Sequence, residues 1–386
     1  MMRSASVWLL LCSVPVGVAW AASSDKPPKG IPVAGFRAHP FIRLITRWED
    51  NIYKTEYDPK SDRIMLVKPG LKLERQNKRL HLTAVSELEA EYYAQHQRED
   101  NKGYNIKLDA DYKLGKRWKA QAGVEESLMH DERGSPGVGP SVIGLGPNAW
   151  RQRIGKLGAE YKFNRLQAEA DLQHGQKISL NNNQSSQNNV WNEAVLKGKW
   201  AFLPKTGVVL ESGWRVTRYE LQPIQDNVEQ RLLGGVTWKW SGKTSGTIKA
   251  GPIVKTYDNS SVPKATGITW SSETEWRIKE RTRVTTGANR NFQAGLTGSF
   301  IQTAYKLNMD HKLLQRLSAK TGLALENSDY GQNKTEDYVR ANLGLKYLFP
   351  RWLSLETDYQ RNTKKTATPG QSYVSNALMF TLSGDM

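Results

Sequence analysis

The chain has 386 residues, a formal net charge of +17, 32 Gly, 13 Trp, 15 Tyr and a single Cys. No segment reaches the roughly 18 consecutive apolar residues of a membrane helix, and one thiol excludes an internal disulfide framework. Mean hydropathy is −0.62, which taken alone describes a soluble protein, and the charge favours anionic partners.

At the N-terminus, Met1-Met2-Arg3 is a short basic start, residues 5–18 are almost wholly apolar, and Ala19-Trp20-Ala21 offers the small residues of a cleavage site. This reads as a secretory signal peptide over residues 1–21, too short and too soon followed by polar sequence to span a membrane. Cys12 follows Leu11 rather than a small residue, which argues against lipid attachment. A mature chain without thiols suits an oxidising compartment. Export also removes nucleic acid from the candidate anions and leaves lipopolysaccharide phosphates and acidic glycans. Residues 22–40 carry Lys and Pro and read as an extended periplasmic lead-in, leaving 41–386 as one structural domain.

From about residue 41, apolar and polar residues alternate in long stretches. Leu80, Leu82, Ala84, Leu88, Ala90 and Tyr92 share one face, against His81, Thr83, Glu87, Glu89 and Glu91 on the other. The next stretch sets Tyr104, Ile106, Leu108, Ala110, Tyr112 and Leu114 against Asn105, Lys107, Asp109, Asp111 and Lys113. Period two over so many residues means a strand with one apolar and one polar face. Soluble strands average about five or six residues, whereas a tilted membrane strand needs about nine to eleven.

About eighteen such segments (range 16–18) follow one another, joined alternately by tight and long connections as in transmembrane barrels. Tight turns are predicted at Gln76-Asn77-Lys78, Gly115-Lys116-Arg117, Asn164-Arg165, Pro204-Lys205-Thr206, Ser241-Gly242-Lys243, Lys279-Glu280-Arg281, residues 313–316 and Pro350-Arg351. Longer loops are predicted at 55–61, 131–148, 175–189, 258–264, 327–337 and 362–371. Trp118, Trp150, Trp200, Trp214, Trp238, Trp240, Trp270, Trp276 and Trp352 fall mostly towards strand ends, where interfacial girdles are expected. The expected fold is all-β: a transmembrane antiparallel up-and-down β-barrel in a Gram-negative outer membrane, its even strand count placing both termini in the periplasm.

Two stretches carry a family resemblance. Trp48-Glu49-Asp50-Asn51-Ile52-Tyr53 resembles the opening signature of the outer-membrane β-barrel porin family (type 2), and Lys68-Pro69-Gly70-Leu71 resembles the Pro-Gly-Leu of its second strand. The motif residues are therefore Trp48, Asp50, Asn51, Tyr53, Pro69 and Gly70. Members often accompany exopolysaccharide systems, so the resemblance implies a conduit for a secreted glycan, supplied by periplasmic or inner-membrane export components. The C-terminus departs from the usual Phe or Trp ending: Leu378, Phe380 and Leu382 precede Ser383-Gly384-Asp385-Met386.

If the apolar faces meet lipid, the polar faces line the lumen. Glu87, Glu89, Glu91, Glu273 and Glu275 make acidic stretches, while Lys197, Lys199, Arg215, Arg231, Lys239, Lys249 and Lys255 make a basic arc. Such charges can pair across strands and keep the interior wet, or the arc can guide an anionic permeant as a basic ladder. Catalytic sites are not expected: His81 is the lone in-strand histidine and no Ser/His/acid spacing emerges. Haem-attachment, Walker and zinc motifs are absent, so no cofactor or metal is expected. The leading reading is a passive polysaccharide conduit with loops 131–148 and 175–189 folding over the mouth. A general or anion-selective diffusion porin is the alternative, which a long loop folded into the pore would favour. A barrel-based enzyme or an adhesin comes behind it.

Overall fold

The computed structural model describes residues 30–138, 146–295, 298–331, 334–350 and 352–386. The signal-peptide reading, the first part of the lead-in and the middle of loop 131–148 lie outside them. A three-residue arm, β1 (Ile31–Val33), folds back on the first barrel strand with Ile31 opposite Ala38. The first half of the barrel is β2 (Phe36–Glu49), β3 (Asp62–Gln76), β4 (Leu80–Tyr93), β5 (Asn101–Lys113), β6 (Trp118–His130), β7 (Ala149–Phe163), β8 (Leu166–Ser179), β9 (Asn189–Leu203) and β10 (Thr206–Tyr219). The second half is β11 (Asn227–Trp240), β12 (Thr244–Tyr257), β13 (Ala265–Lys279), β14 (Thr282–Gly295), β15 (Gly298–Lys312), β16 (Leu317–Asp329), β17 (Thr335–Leu348), β18 (Leu353–Thr366) and β19 (Tyr373–Asp385).

Each barrel strand pairs antiparallel with its neighbours in sequence, and β19 closes on β2 from Ala377 opposite Glu49 to Asp385 opposite Phe41. The result is a closed barrel of β2 to β19 that leaves no free edge. Strands run 13 to 15 residues. At about 3.3 Å per residue and a tilt near 45°, that length crosses a hydrocarbon core of roughly 30 Å.

The tight turns form one rim, at the positions the alternation predicts. Asn164, with φ of 49°, supplies the left-handed residue of the two-residue turn between β7 and β8. The loop rim differs in detail from the prediction. Short loops at 94–100 and 220–226 each hold a single 3₁₀ turn, their polar residues continuing the strand pattern too smoothly to mark a break. β14 ends at Gly295 and β15 starts at Gly298, so the long-loop rhythm fails there. β2 starts at Phe36, inside the stretch read as lead-in. Pro40 hides this strand from sequence, yet it pairs with Leu71 and its carbonyl accepts the Met386 N–H at 3.1 Å.

Side-chain parity follows the expected faces. Leu88, Leu157, Leu196 and Leu210 are 54–62% exposed on the outside, where lipid replaces water. Inward positions of the same strands carry the charges, several of them buried, because a charge on the lipid face near mid-membrane costs about 2–4 kcal/mol. The turn rim is ringed by outward aromatics, with Trp118 against Tyr161 at 4.7 Å, Tyr347 against Phe349 at 4.9 Å and Trp238 beside Trp240 at 5.7 Å. Trp150 departs from the girdle expectation. It turns inward and is buried beneath Lys177, whose ammonium lies 4.6 Å from the ring centroid, so an indole near a strand end need not face lipid.

Candidate permeation path

The stretch from Trp48 to Tyr53 builds the seam and the first inward loop. Trp48 points out and meets Phe380 edge-on at 5.6 Å across the closing pair β2–β19. Asp50 accepts both the backbone N–H of Asn376 (2.7 Å) and its side-chain amide (2.6 Å). Asn51 is buried; its amide donates to the carbonyls of Thr55 (2.8 Å) and Val374 (3.0 Å) and its oxygen accepts the Thr55 N–H (3.1 Å). Ile52 and Tyr53 then drop into the barrel against Ile64 and Leu66. Burial pushes the Tyr53 phenol above its ordinary range, so it stays neutral there. The six residues are thus a clasp joining first strand, last strand and first loop. Asn51→Ala leaves buried carbonyls without their donor, at about 1–3 kcal/mol each. The expected result is a lower temperature for the conversion of folded to unfolded barrel, read by gel mobility of heated samples.

The second motif has a steric reading. A Cβ at Gly70 would lie 2.1 Å from the Phe41 ring, which covers the glycine from the facing strand. Pro69 faces Ile42 on the outer parity of β3.

Beyond this clasp, residues 131–138 leave the end of β6 and cross the lumen to the far wall. Arg133 donates from Nε and Nη2 to the two oxygens of Glu99, each at 2.8 Å, and lies over the Tyr53 ring at 5.2 Å. Glu132 reaches Arg340 of β17 at 3.6 Å. Gly134, at φ +75°, packs so close to Tyr373 and Lys54 that a Cβ would meet them at 2.7 and 2.9 Å. The Gly137 N–H donates to the Tyr330 hydroxyl at 2.9 Å, and that hydroxyl donates to Glu336 at 3.0 Å. Burial and the Glu336 charge push the Tyr330 phenol up, which keeps the donor proton in place. Between this crossing segment and β16–β18 remains a gap of about 20 Å³, room for a single water. The neighbouring loop braces the base: Asn182 donates to the Gly146 carbonyl (2.8 Å) and to Asn148 (2.9 Å).

At the turn rim the lumen opens into a vestibule of about 920 Å³, lined by Lys162, Arg165, Lys199, Lys239, Glu273, Glu275 and Lys306 among others. The path is therefore wide at one mouth and crossed by a loop at the other.

All seven cations of the basic arc face this interior, and most are tied to glutamates. Lys199 meets Glu169 at 2.9 Å and Lys197 the same carboxylate at 3.4 Å. Arg231 donates to Glu193 at 2.7 Å, while Arg215 sits 4.0 Å from Glu193 and over the Trp191 ring. Lys249 bonds Glu211 at 2.5 Å, and Lys255 donates to Ser299 at 2.7 Å. The arc is an alternation of charges rather than a bare ladder. Glu193 and Glu229 escaped notice in the sequence although they share lumen parity with Lys197 and Arg231. Four of the five acidic residues are paired as well, Glu87 with Arg43 (3.4 Å), Glu89 with Lys68 (2.6 Å), Glu91 with Arg47 (2.7 Å) and Glu275 with Arg277 (2.7 Å), while Glu273 lines the vestibule. His81 Nε2 lies 2.9 Å from Glu74 and 3.4 Å from the Thr83 hydroxyl, and it is not the lone in-strand histidine, since His39, His130, His174 and His311 also fall within strands. Among the described residues, no group of His, Cys, Asp and Glu could hold a metal ion.

A family model described as "Putative beta-barrel porin 2" matches residues 26–385. Solved structures match over nearly the whole chain. OccAB2 of Acinetobacter baumannii is 10% identical at a TM-score of 0.53, covering 92% of this chain and 98% of that one. OccK5 (OpdH) of Pseudomonas aeruginosa is 12% identical at 0.51, covering 91% and 98%. Identity this low speaks for a shared barrel fold and for nothing finer. No curated protein matches the chain.

Proposed function

The chain belongs to the beta-barrel porin 2 family and is an outer-membrane porin; from this we propose that it is a passive diffusion channel for small polar solutes, with a preference for anions. The observation that carries the reading is the inward loop. A segment held by Arg133–Glu99, Glu132–Arg340 and Gly137–Tyr330 crosses the loop-side mouth. A crossing segment of this kind obstructs a polymer, which would have to displace the whole braced stretch, more than it obstructs a small solute. On this ground we put the diffusion channel ahead of the polysaccharide conduit implied by the family resemblance. The anion preference rests on the arc together with Lys306 of β15, a cation that lines the vestibule.

The test is reconstitution into planar bilayers and liposomes. Steady conductance, a reversal potential on the anion side in a salt gradient, and entry of mono- and disaccharides but not of long oligosaccharides are the expected results. Passage of long acidic glycans through the unmodified protein would restore the export reading, and absence of conductance would remove the channel reading.

A further inference from the structure

The outer wall is not symmetric between its rims. At the turn rim, β5, β6 and β7 present Tyr112, Trp118, Tyr161 and Phe163 to the membrane. At the loop rim, the same strands present cations. Arg151 and Arg153 lie on the outward parity of β7, Arg151 opposite Leu128 and Ile178 and Arg153 opposite Glu126 and Gln176. Lys102 stands exposed at the start of β5, and Ile106, Val124 and Leu157 continue the wall towards mid-membrane, each about half exposed or more.

Glu126 organises the group. It accepts the Tyr104 hydroxyl at 2.8 Å and Arg153 Nε at 2.9 Å, which fixes one arginine and leaves its terminal nitrogens open. Arg151 Nε is buried with no hydrogen-bond partner in the protein. One carboxylate thus stands beside two arginines and, of the two, is bonded to Arg153 alone. Two other outward arginines near this rim are differently placed: Arg218 is held by Asp258 at 2.9 Å, and Arg361 approaches Asn376 at 3.4 Å.

Cations set on a lipid-facing wall need an anion at their own depth, and guanidinium groups pair best with the paired oxygens of phosphate. The loop rim faces the outer leaflet, where the abundant anion is the phosphorylated disaccharide of lipid A. We propose that Arg151, Arg153 and Lys102 form a binding site for lipid A phosphates, held open by Glu126 and independent of what crosses the lumen.

The experiment uses the purified folded barrel in detergent, titrated with bisphosphorylated lipid A, monophosphoryl lipid A and phosphatidylglycerol, with affinity read from the shift in thermal unfolding. Bisphosphorylated lipid A is expected to bind most tightly. The double variant Arg151→Gln/Arg153→Gln is expected to lose about twenty-fivefold in affinity, the product of about fivefold per surface cation. Arg151→Gln alone leaves the Glu126–Arg153 pair intact and should lose about fivefold. Should the double variant not fold, that single variant and the ranking of the three lipids on the unmodified protein still decide the matter. Equal affinity for all three lipids, or unchanged lipid A affinity in either variant, would overturn the proposal.

Discussion

Arg133→Ala should widen the loop-side mouth, with higher single-channel conductance and a larger size limit for sugars entering liposomes. The reason lies in the Arg133–Glu99 fork, whose side chains are only 13% and 3% exposed. Removing one partner of a buried pair costs about 3–5 kcal/mol, because the other charge is left in the interior. Here the deserted charge is Glu99, on the 94–100 loop, which can regain solvent by moving away from the barrel axis. Two loops therefore loosen together. A bias of that size moves a pinned-to-released ratio by about a hundredfold or more. Glu99→Gln keeps one acceptor and should act in the same direction but less. Identical conductance and sugar limit in both variants would mean that residues 131–138 do not set the bore.

Glu211→Gln should raise anion selectivity more than any single change to the cations lowers it. Glu211 is buried and is shared by Lys249 at 2.5 Å and by Lys197 and Arg231, each at 3.8 Å. Its loss removes one negative charge, leaves Lys249 without a carboxylate and loosens Lys197 and Arg231, which keep Glu169 and Glu193. Two charges 4 Å apart at an effective dielectric of about 20 interact by roughly 4 kcal/mol. If a quarter of that reaches a permeant ion, the anion-to-cation permeability ratio rises about fivefold. The reversal potential in a potassium chloride gradient reads this directly. Lys249→Glu should shift it the other way, and a reversal potential unmoved in both variants would remove the arc from the permeation path.

Much of the barrel was legible because its physics is local. Period two needs only neighbouring residues, so β4 and β5 declare their lipid and lumen faces outright. Turns announce themselves through Asn164, Pro204 and Gly242, residues chosen for backbone angles within a few positions. Family residues Trp48 to Tyr53 were also visible, though not as the clasp that ties Asp50 to Asn376. What stayed hidden depends on distance in the chain. Arg133 gives no local sign that its partner is Glu99, and Tyr330 none that it receives Gly137. The sequence leaves the basic arc open between cross-strand pairing and a ladder, because a count along each strand does not show that its glutamates are often supplied by the strand beside or beyond. Trp150 misled for a related reason, since nearness to a strand end does not fix which way an indole faces.

The Asp50–Asn376 contact joins residues 326 positions apart. That separation sets an order in time. While β3 to β18 are being laid down hairpin by hairpin, β2 waits with one row of N–H and C=O groups unmet, an invitation to any other exposed strand. The entropy of bringing β19 round is lost before the seam returns anything, so closure should be the slow step of assembly. Trp48 with Phe380, and Asp50 and Asn51 with the start of β19, then act as the fastening that makes a circle out of a ribbon. A chain weakened at this clasp would accumulate as open, adhesive sheets before any effect on transport could be measured.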